Sequence, residues 1–140
     1  MLETSTDKSR LDIDAIHAFL SCESTWALGI SRAVVEKSIA NSLCFGGYED
    51  GRLVAFARVI SDFATFANLV DVFVLPSHRG RGHGKAMVAA VMAHPALQGL
   101  RRFTLATSDA HGLYAGFGFT PLAKPATAME RYDPDIYRRG

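Results

Sequence analysis

The sequence predicts a mixed α/β fold: a twisted, largely antiparallel sheet with one parallel pair at its centre and helices on both faces, in one domain over residues 1–140. Three observations carry this expectation. Apolar residues recur at helical spacing between Leu11 and Ile39, then give way to strand-like runs around an Asp-Gly pair, and a strand, glycine-rich stretch, helix and strand follow in succession. The last of these is a βαβ unit, which requires parallel strands joined by a right-handed crossover.

Leu11, Ile13, Ile16, Phe19 and Leu20 share one helical face, and Asp12 or Asp14 suits a first turn, so a helix is expected over Leu11–Leu20 with a short strand before it. "SCESTWALG" reads as a loop carrying the one tryptophan, after which Ser31 caps a second helix through Val34, Val35, Ser38 and Ile39. Strands near Leu43–Tyr48 and Arg52–Ile60 flank Glu49, Asp50 and Gly51, and Asp-Gly between β-rich runs is a strong hairpin signal. Phe66–Leu75 is almost continuously apolar, as in a strand buried on both faces, and Pro76 ends it. "KAMVAAVMAH" reads as an apolar helix stopped by His94 and Pro95, and "RRFTLAT" as a further strand. "SDAHGLYAGFGF" reads as a short helix with Ser108 or Asp109 as cap and Gly116 or Gly118 near its end, and "FTPL" and "AMERY" are expected to add edge strands.

With 49% hydrophobic and 21% charged residues, the chain has a globular composition and is long enough to bury a core. Lys+Arg 15 against Asp+Glu 14 leaves a net charge of +1, and no stacking aromatics interleave with the basic residues, so no nucleic-acid partner is expected. Cys22 and Cys44 lie in no CxxC or Cys/His cluster, and His17, His78, His83, His94 and His111 fit no HExxH-like spacing. Neither a disulfide framework nor a metal site is expected, and a reducing cytoplasm is. "MLETSTDKSRLDIDAI" has no basic stretch leading into an apolar one, and no run approaches the roughly 18 apolar residues of a membrane span, so export and membrane insertion are not expected.

"HRGRGHGKAM" (residues 78–87) places three glycines at alternating positions among basic side chains, directly after an apolar strand. Glycine at that density costs backbone entropy and serves where a ligand approaches the main chain or φ is positive. A phosphate is the first candidate, because the N–H groups of a helix's first turn are unpaired donors with a partial positive charge. Two common phosphate motifs fail on spacing. A P-loop ending at Gly84-Lys85 would need glycine at Arg79 and a hydroxyl at Ala86, and the dinucleotide fingerprint would need glycine at Lys85 or Met87.

What remains is Arg79-x-x-Gly82-x-Gly84 at a strand-to-helix junction. This resembles the signature of the Gcn5-related N-acetyltransferases (GNAT family), Gln/Arg-x-x-Gly-x-Gly/Ala. "DVFVLPSHRGRGHGKAM" is similar to that family's strand, loop and helix, and "HGLYAGFGF" to its later helix with a tyrosine before a Gly-Phe pair, so the resemblance is most specific over Val70–Phe119. It implies an enzyme that uses acetyl-CoA to acetylate a primary amine of a small molecule or peptide. Arg79, Gly80, Arg81, Gly82, His83, Gly84 and Lys85 are then expected around the pyrophosphate, and Val72, Phe73, Val74 and Ser108 along the rest of the coenzyme. A backbone N–H at or near Val74 is expected on the thioester oxygen. Tyr114 matches the family's tyrosine, implied to face the coenzyme and protonate the leaving thiolate; packing with Leu113 and Phe117 is its alternative.

Asp71, an acid in an otherwise apolar strand, is the first candidate base, with a purely structural carboxylate as the alternative. Glu130, Glu23 and Asp62 are weaker candidates, and ordered water serves in several family members. Trp26, Phe63 and Phe66 are the candidate walls of the acceptor site, or else core residues. Monomer and homodimer both fit. A coenzyme-binding sensor that does not catalyse, and a dimer that acetyl-CoA merely stabilises, are the rival readings.

Overall fold

The computed structural model describes residues 1–139, organised around a five-stranded sheet. Strands β1 (Glu3–Ser5), β2 (Leu43–Glu49), β3 (Arg52–Ser61) and β4 (Phe66–Val74) pair antiparallel in turn, and β5 (Arg102–Leu105) lies parallel to β4. Helices α1 (Ile13–Cys22) and α2 (Arg32–Ala40) precede β2; α3 (His83–Ala93) connects β4 to β5, and the short α4 (His111–Ala115) follows β5.

The local signals act largely as the sequence implies. Asp12 is the N-cap of α1, its Oδ1 accepting from the Ala15 N–H at 3.0 Å, with Asp14 in the first turn, and Ser31 Oγ accepts from the Val34 N–H at 3.2 Å at the start of α2. Asp50 (φ 53°) and Gly51 (φ 78°) form the two-residue connection between paired Glu49 and Arg52. Positive φ at both positions is the type I′ geometry whose twist matches the flanking strands.

Each sheet face buries its own core. Ile16, Leu20, Val35 and Phe56 pack beneath α1 and α2, while Phe45, Met87, Val88 and Val91 pack beneath α3. Gly47 sets the second spacing, since a Cβ there would stand 2.8 Å from the Met87 sulfur and 3.0 Å from the Ala55 Cβ. The absence of a side chain lets α3 lie close to β2.

A bulge in β4 prepares the site. Phe56 pairs with Phe73 and Arg58 with Val70, so β4 carries one residue more than β3 over this interval, and Asp71 takes a left-handed φ of 54°. The extra residue reverses the alternation of faces: Ala67 and Leu69 point to the α3 core before it, Val72 and Val74 after it, and Phe73 joins the α1–α2 core. Pairing of β4 with β5 runs only from Phe66–Arg102 to Leu69–Leu105, and β4 then continues alone on that side to Val74. The two strands part there.

Four expectations are corrected. The parallel pair lies at the edge of the sheet and not at its centre, because no strand forms beyond β5 among the described residues. "FTPL" and "AMERY" are irregular and exposed; strand propensity alone does not hold an edge that pairs with nothing. Nor is β4 buried on both faces: Ala67, Leu69 and Phe73 are buried, Phe66 is exposed and the others are partly open. Helix α4 starts after Ala110, with neither Ser108 nor Asp109 as cap; Thr107 Oγ1 accepts the Ala110 N–H at 3.1 Å instead.

Candidate active site

The opening between β4 and β5 leads directly into the glycine loop. After Val74 the chain makes a single turn at Pro76–His78, and Gly80 and Gly82 both adopt φ 79°, which orients the backbone into α3 with Gly82 as N-cap. No side chain caps α3, so the N–H groups of its first turn, at His83, Gly84 and Lys85, point out unpaired. A Cβ on Gly80, Gly82 or Gly84 would meet nothing within 4 Å, so the space over the loop is open to a ligand. Three bare glycines, a helix N-terminus and three cations suit a diphosphate.

The cations differ in their partners. Arg79 Nε donates to the Val74 carbonyl at 3.1 Å, which ties the loop back to the end of β4, and Lys85 is exposed. Arg81 Nη1 donates to Glu49 Oε1 at 2.5 Å. His83, expected near the phosphates, is instead buried, its Nε2 2.6 Å from Glu49 Oε2. Its backbone N–H faces the loop while its ring faces β2. The His83 hydrogen bond first, and the Arg81 charge with it, hold the Glu49 carboxyl below its usual pKa against the effect of burial. A hollow of about 610 Å³ on this β2 side is lined by Leu2, Glu49, Arg81, Gly82 and His83, and by no residue of β4 or β5.

Tyr114 is 8% exposed in α4 and packs in the same core as Val72, Val74 and Leu105, the residues at the divergence. Phe119 meets its ring edge-on at 6.0 Å. Its hydroxyl has no partner among the described residues and is not a sealed polar atom, so it reaches solvent. Burial, with the Asp109 carboxylate adding to it, pushes the phenol above its usual pKa. It stays protonated across the neutral range, as a proton donor must. Ser108 is exposed in the bend before α4.

Asp71 is not an isolated acid in an apolar strand. Its Oδ2 accepts from Arg58 Nε at 3.0 Å, its Oδ1 accepts from Trp26 Nε1 at 2.8 Å, and Arg58 Nη1 reaches Ser42 Oγ at 3.0 Å. The Asp71 and Arg58 side chains are only 8% and 14% exposed. This network joins the α1–α2 loop to the bulge. Trp26 also leans on Phe19, which stacks at 4.0 Å on Phe73 of β4, while half of the indole stays open to solvent.

The remaining candidates separate. Phe63 and Phe66 lie at the β3–β4 tip, at the opposite end of β4 from the glycine loop, both about half-exposed. Phe66 is five residues from Asp71, roughly 16 Å along a strand. Asp62 holds that tip by accepting from the Thr65 hydroxyl and from the N–H groups of Ala64, Thr65 and Phe66, bonds that keep its carboxyl far below the usual range. Its carboxylate serves the turn. Glu23 is the exposed C-cap of α1, and Glu130 is exposed beyond α4. Cys44 is buried, its thiol pushed up to about 11 chiefly by burial. Sequence reasoning missed Glu49 and Arg58. A lone arginine inside "LVAFARVI", opposite a lone aspartate in the neighbouring strand, was the signal for the second.

Among the described residues no group of three or more His, Cys, Asp or Glu is placed to hold a metal ion, and no helix is long and apolar enough to cross a membrane.

These elements define an α/β protein whose two parallel strands part beside a glycine-lined helix N-terminus. Residues 13–119 match the Acetyltransferase (GNAT) family, and the chain belongs to that family of acetyltransferases. It is similar to a crystal structure of a GNAT-family protein (xcc2953) from Xanthomonas campestris pv. campestris, with 64% identity and a TM-score of 0.96 over 98% of this chain and 96% of that one. FG08082 of Gibberella zeae, a protein named as an acetyltransferase, is 34% identical over 132 residues, covering 79% of this chain and 73% of the relative. A Clostridium acetobutylicum acetyltransferase crystallised with acetyl-CoA shares the fold at 14% identity and a TM-score of 0.67, over 94% of this chain and 96% of that one.

Proposed function

We propose that this protein is an acetyl-CoA-dependent N-acetyltransferase that moves the acetyl group directly to a primary amine of a small molecule or peptide in the cytoplasm. One observation carries the reading: the β4–β5 opening ends in an uncapped, glycine-lined helix N-terminus and is flanked by a buried tyrosine whose hydroxyl is unpartnered. When bound, acetyl-CoA supplies an activated thioester carbonyl.

The N–H groups at His83, Gly84 and Lys85 fit the pyrophosphate, with the Arg79, Arg81 and Lys85 charges around it and glycine at 80, 82 and 84 leaving room for close approach. Val72, Phe73 and Val74 offer the free side of β4 to the pantetheine, and Ser108 lies past the end of β5. In this reading a backbone N–H at or near Val74 donates to the thioester oxygen, where negative charge develops as the amine attacks. Tyr114 gives its phenolic proton to the sulfur as the carbon–sulfur bond breaks.

An acceptor amine of pKa near ~10.4 must first lose a proton. With both oxygens of Asp71 already accepting, we assign that residue to holding Trp26 and the bulge, and the amine's proton to solvent water. The exposed half of Trp26 forms the acceptor wall beside the bulge, and Phe63 and Phe66 would meet only an acceptor long enough to reach the hairpin tip.

Calorimetric titration tests the cofactor. Acetyl-CoA and coenzyme A should bind at micromolar concentration, and ATP and NAD should not. Binding of neither coenzyme would refute the reading.

A further inference from the structure

Helices α1 and α2 cover only part of their sheet face. Beneath them Phe56 and Phe73 are sealed, and the cover ends at the Arg58–Asp71–Trp26 network. Beyond it, toward the β3–β4 tip, the face is open. Ala67 and Leu69 point to the α3 core, so Phe66, Asn68 and Val70 point the other way; Ile60 of β3 pairs with Asn68, and Arg102 and Thr104 of β5 pair with Phe66 and Asn68. Ile60, Phe66 and Arg102 are exposed and the other three partly buried. Thr104 Oγ1 donates to Asn68 Oδ1 at 2.9 Å, which leaves the Asn68 amide N–H groups to donate elsewhere. The tip itself is firmly built. Asp62 accepts four hydrogen bonds there, Ser61 Oγ donates to the Phe66 carbonyl at 2.7 Å and accepts from the Phe63 N–H at 2.8 Å, and Phe63 is held half-exposed at a left-handed φ of 62°. A bulky residue kept in that strained conformation at the surface marks a place of use.

We propose that this open face binds the acceptor and that the acceptor is a peptide, laid out along β4 with its N-terminal α-amine at the bulge beside Trp26 and an acidic fifth or sixth residue at Arg102. The inference rests on the proposed function and names its substrate class. Three observations select this occupant. Asp71, the carboxylate at the bulge, has both oxygens occupied, so the site suits an amine that is neutral without a protein base. A peptide α-amine, of pKa about 7.7–8.0, is roughly one-third neutral at pH 7.5, whereas an alkylamine near ~10.4 is neutral to only about 0.1%. Next is length. From Asp71 to Phe66 the face runs roughly 16 Å, the span of five or six residues of extended chain, with the free Asn68 N–H groups midway to meet a main-chain carbonyl. A small amine would use only the Trp26 end. Last is charge: Arg102 is exposed at the far end with no carboxylate partner among the described residues, and Asp62 at the tip is taken up by its own turn, so this end suits an anion. In the transfer, the α-nitrogen forms the amide bond as the carbon–sulfur bond breaks, its proton passes to water, and Tyr114 protonates the sulfur and is reprotonated from solvent.

Initial rates with acetyl-CoA and a set of synthetic peptides test it. A hexapeptide with a free N-terminus and glutamate at its last two positions should exceed, in kcat/KM, both its own N-terminal dipeptide and an N-terminally blocked copy carrying one lysine by at least ~10-fold. Trp26 is the chain's single tryptophan, so a change in its fluorescence on adding a tryptophan-free hexapeptide should read binding without turnover. Arg102→Glu should raise the KM for the acidic hexapeptide about 10-fold with kcat kept, and lysines in place of the two glutamates should recover it, which a misfolded variant could not do. Equal kcat/KM for hexapeptide and dipeptide, with alkylamines acetylated as well, overturns the peptide path. Faster transfer to the blocked lysine peptide overturns the α-amine, and a KM indifferent to Arg102→Glu overturns the acidic end. Absence of transfer to every acceptor, small amines included, overturns the proposed function with it.

Discussion

Replacing Gly82 and Gly84 separately by alanine should have opposite effects, because the two glycines serve different ends. Gly82 holds φ 79°, where an L-residue costs about 1–2 kcal/mol. Gly84 lies inside the first turn of α3 with no positive φ and with open space where its Cβ would stand, so alanine there should gain about 0.5–1 kcal/mol of helix propensity. For a chain of 140 residues, 1 kcal/mol corresponds to roughly 3 °C in Tm. Thermal unfolding without coenzyme should therefore show Gly82→Ala lower by about 3–6 °C and Gly84→Ala higher by about 2–3 °C. Acetyl-CoA titration should follow the same division. Gly84→Ala preserves the direction of every N–H group in the loop and keeps a residue that the family signature admits, so affinity should hold. Gly82→Ala relieves its strain by rotating those groups, and affinity should fall. A Gly84→Ala variant that is destabilised, or a Gly82→Ala variant with unchanged Tm and affinity, would refute this division of roles.

Tyr114→Phe should lower turnover at least ~10-fold while acetyl-CoA affinity is kept, since the hydroxyl donates in the reaction and bonds to nothing in the protein; unchanged turnover would remove it from the mechanism. Asp71→Ala leaves the Arg58 guanidinium buried without its partner and should cost on the order of 3 kcal/mol, read by chemical denaturation, whereas Asp71→Leu with Arg58→Met should recover most of it. Glu49→Gln removes the anion that Arg81 and His83 share and should raise the KM for acetyl-CoA several-fold with kcat retained; an unchanged KM would show the loop to be ordered without it. The Cys44 thiol, about 11 in the folded chain against an ordinary 9.0, binds its proton more tightly folded than unfolded. Its contribution is complete below pH 9 and lost as pH rises toward 11, so stability should fall over that window and Cys44→Ala should flatten the fall.

Features written in adjacent residues were legible before the structure. The Asp50-Gly51 turn, the caps at Asp12 and Ser31 and the strand–glycine loop–helix junction each depend on a few neighbouring positions, and each is found in place. Features that depend on register were not. The left-handed Asp71 arises because β4 outruns β3 by one residue, a mismatch that neither strand reveals alone, and it turns Asp71 toward Arg58 and Trp26. His83 looked like a loop cation, but its place in the first turn of α3 directs the ring at Glu49 on another strand. "AMERY" has the residues of a strand and stays irregular even though the outer edge of β5 is free, because propensity alone does not dock a segment.

Acetyl transfer itself is most directly tested by incubating the wild type and Tyr114→Phe with acetyl-CoA and a panel of primary amines, recording free thiol and the mass of each amine together. Thiol release matched one-to-one by an amine heavier by one acetyl group, and much slower with Tyr114→Phe, is the result expected of an N-acetyltransferase working through this site. Tight acetyl-CoA binding with no acetylated amine across small-molecule and peptide acceptors would contradict it and leave a coenzyme-binding protein that does not catalyse.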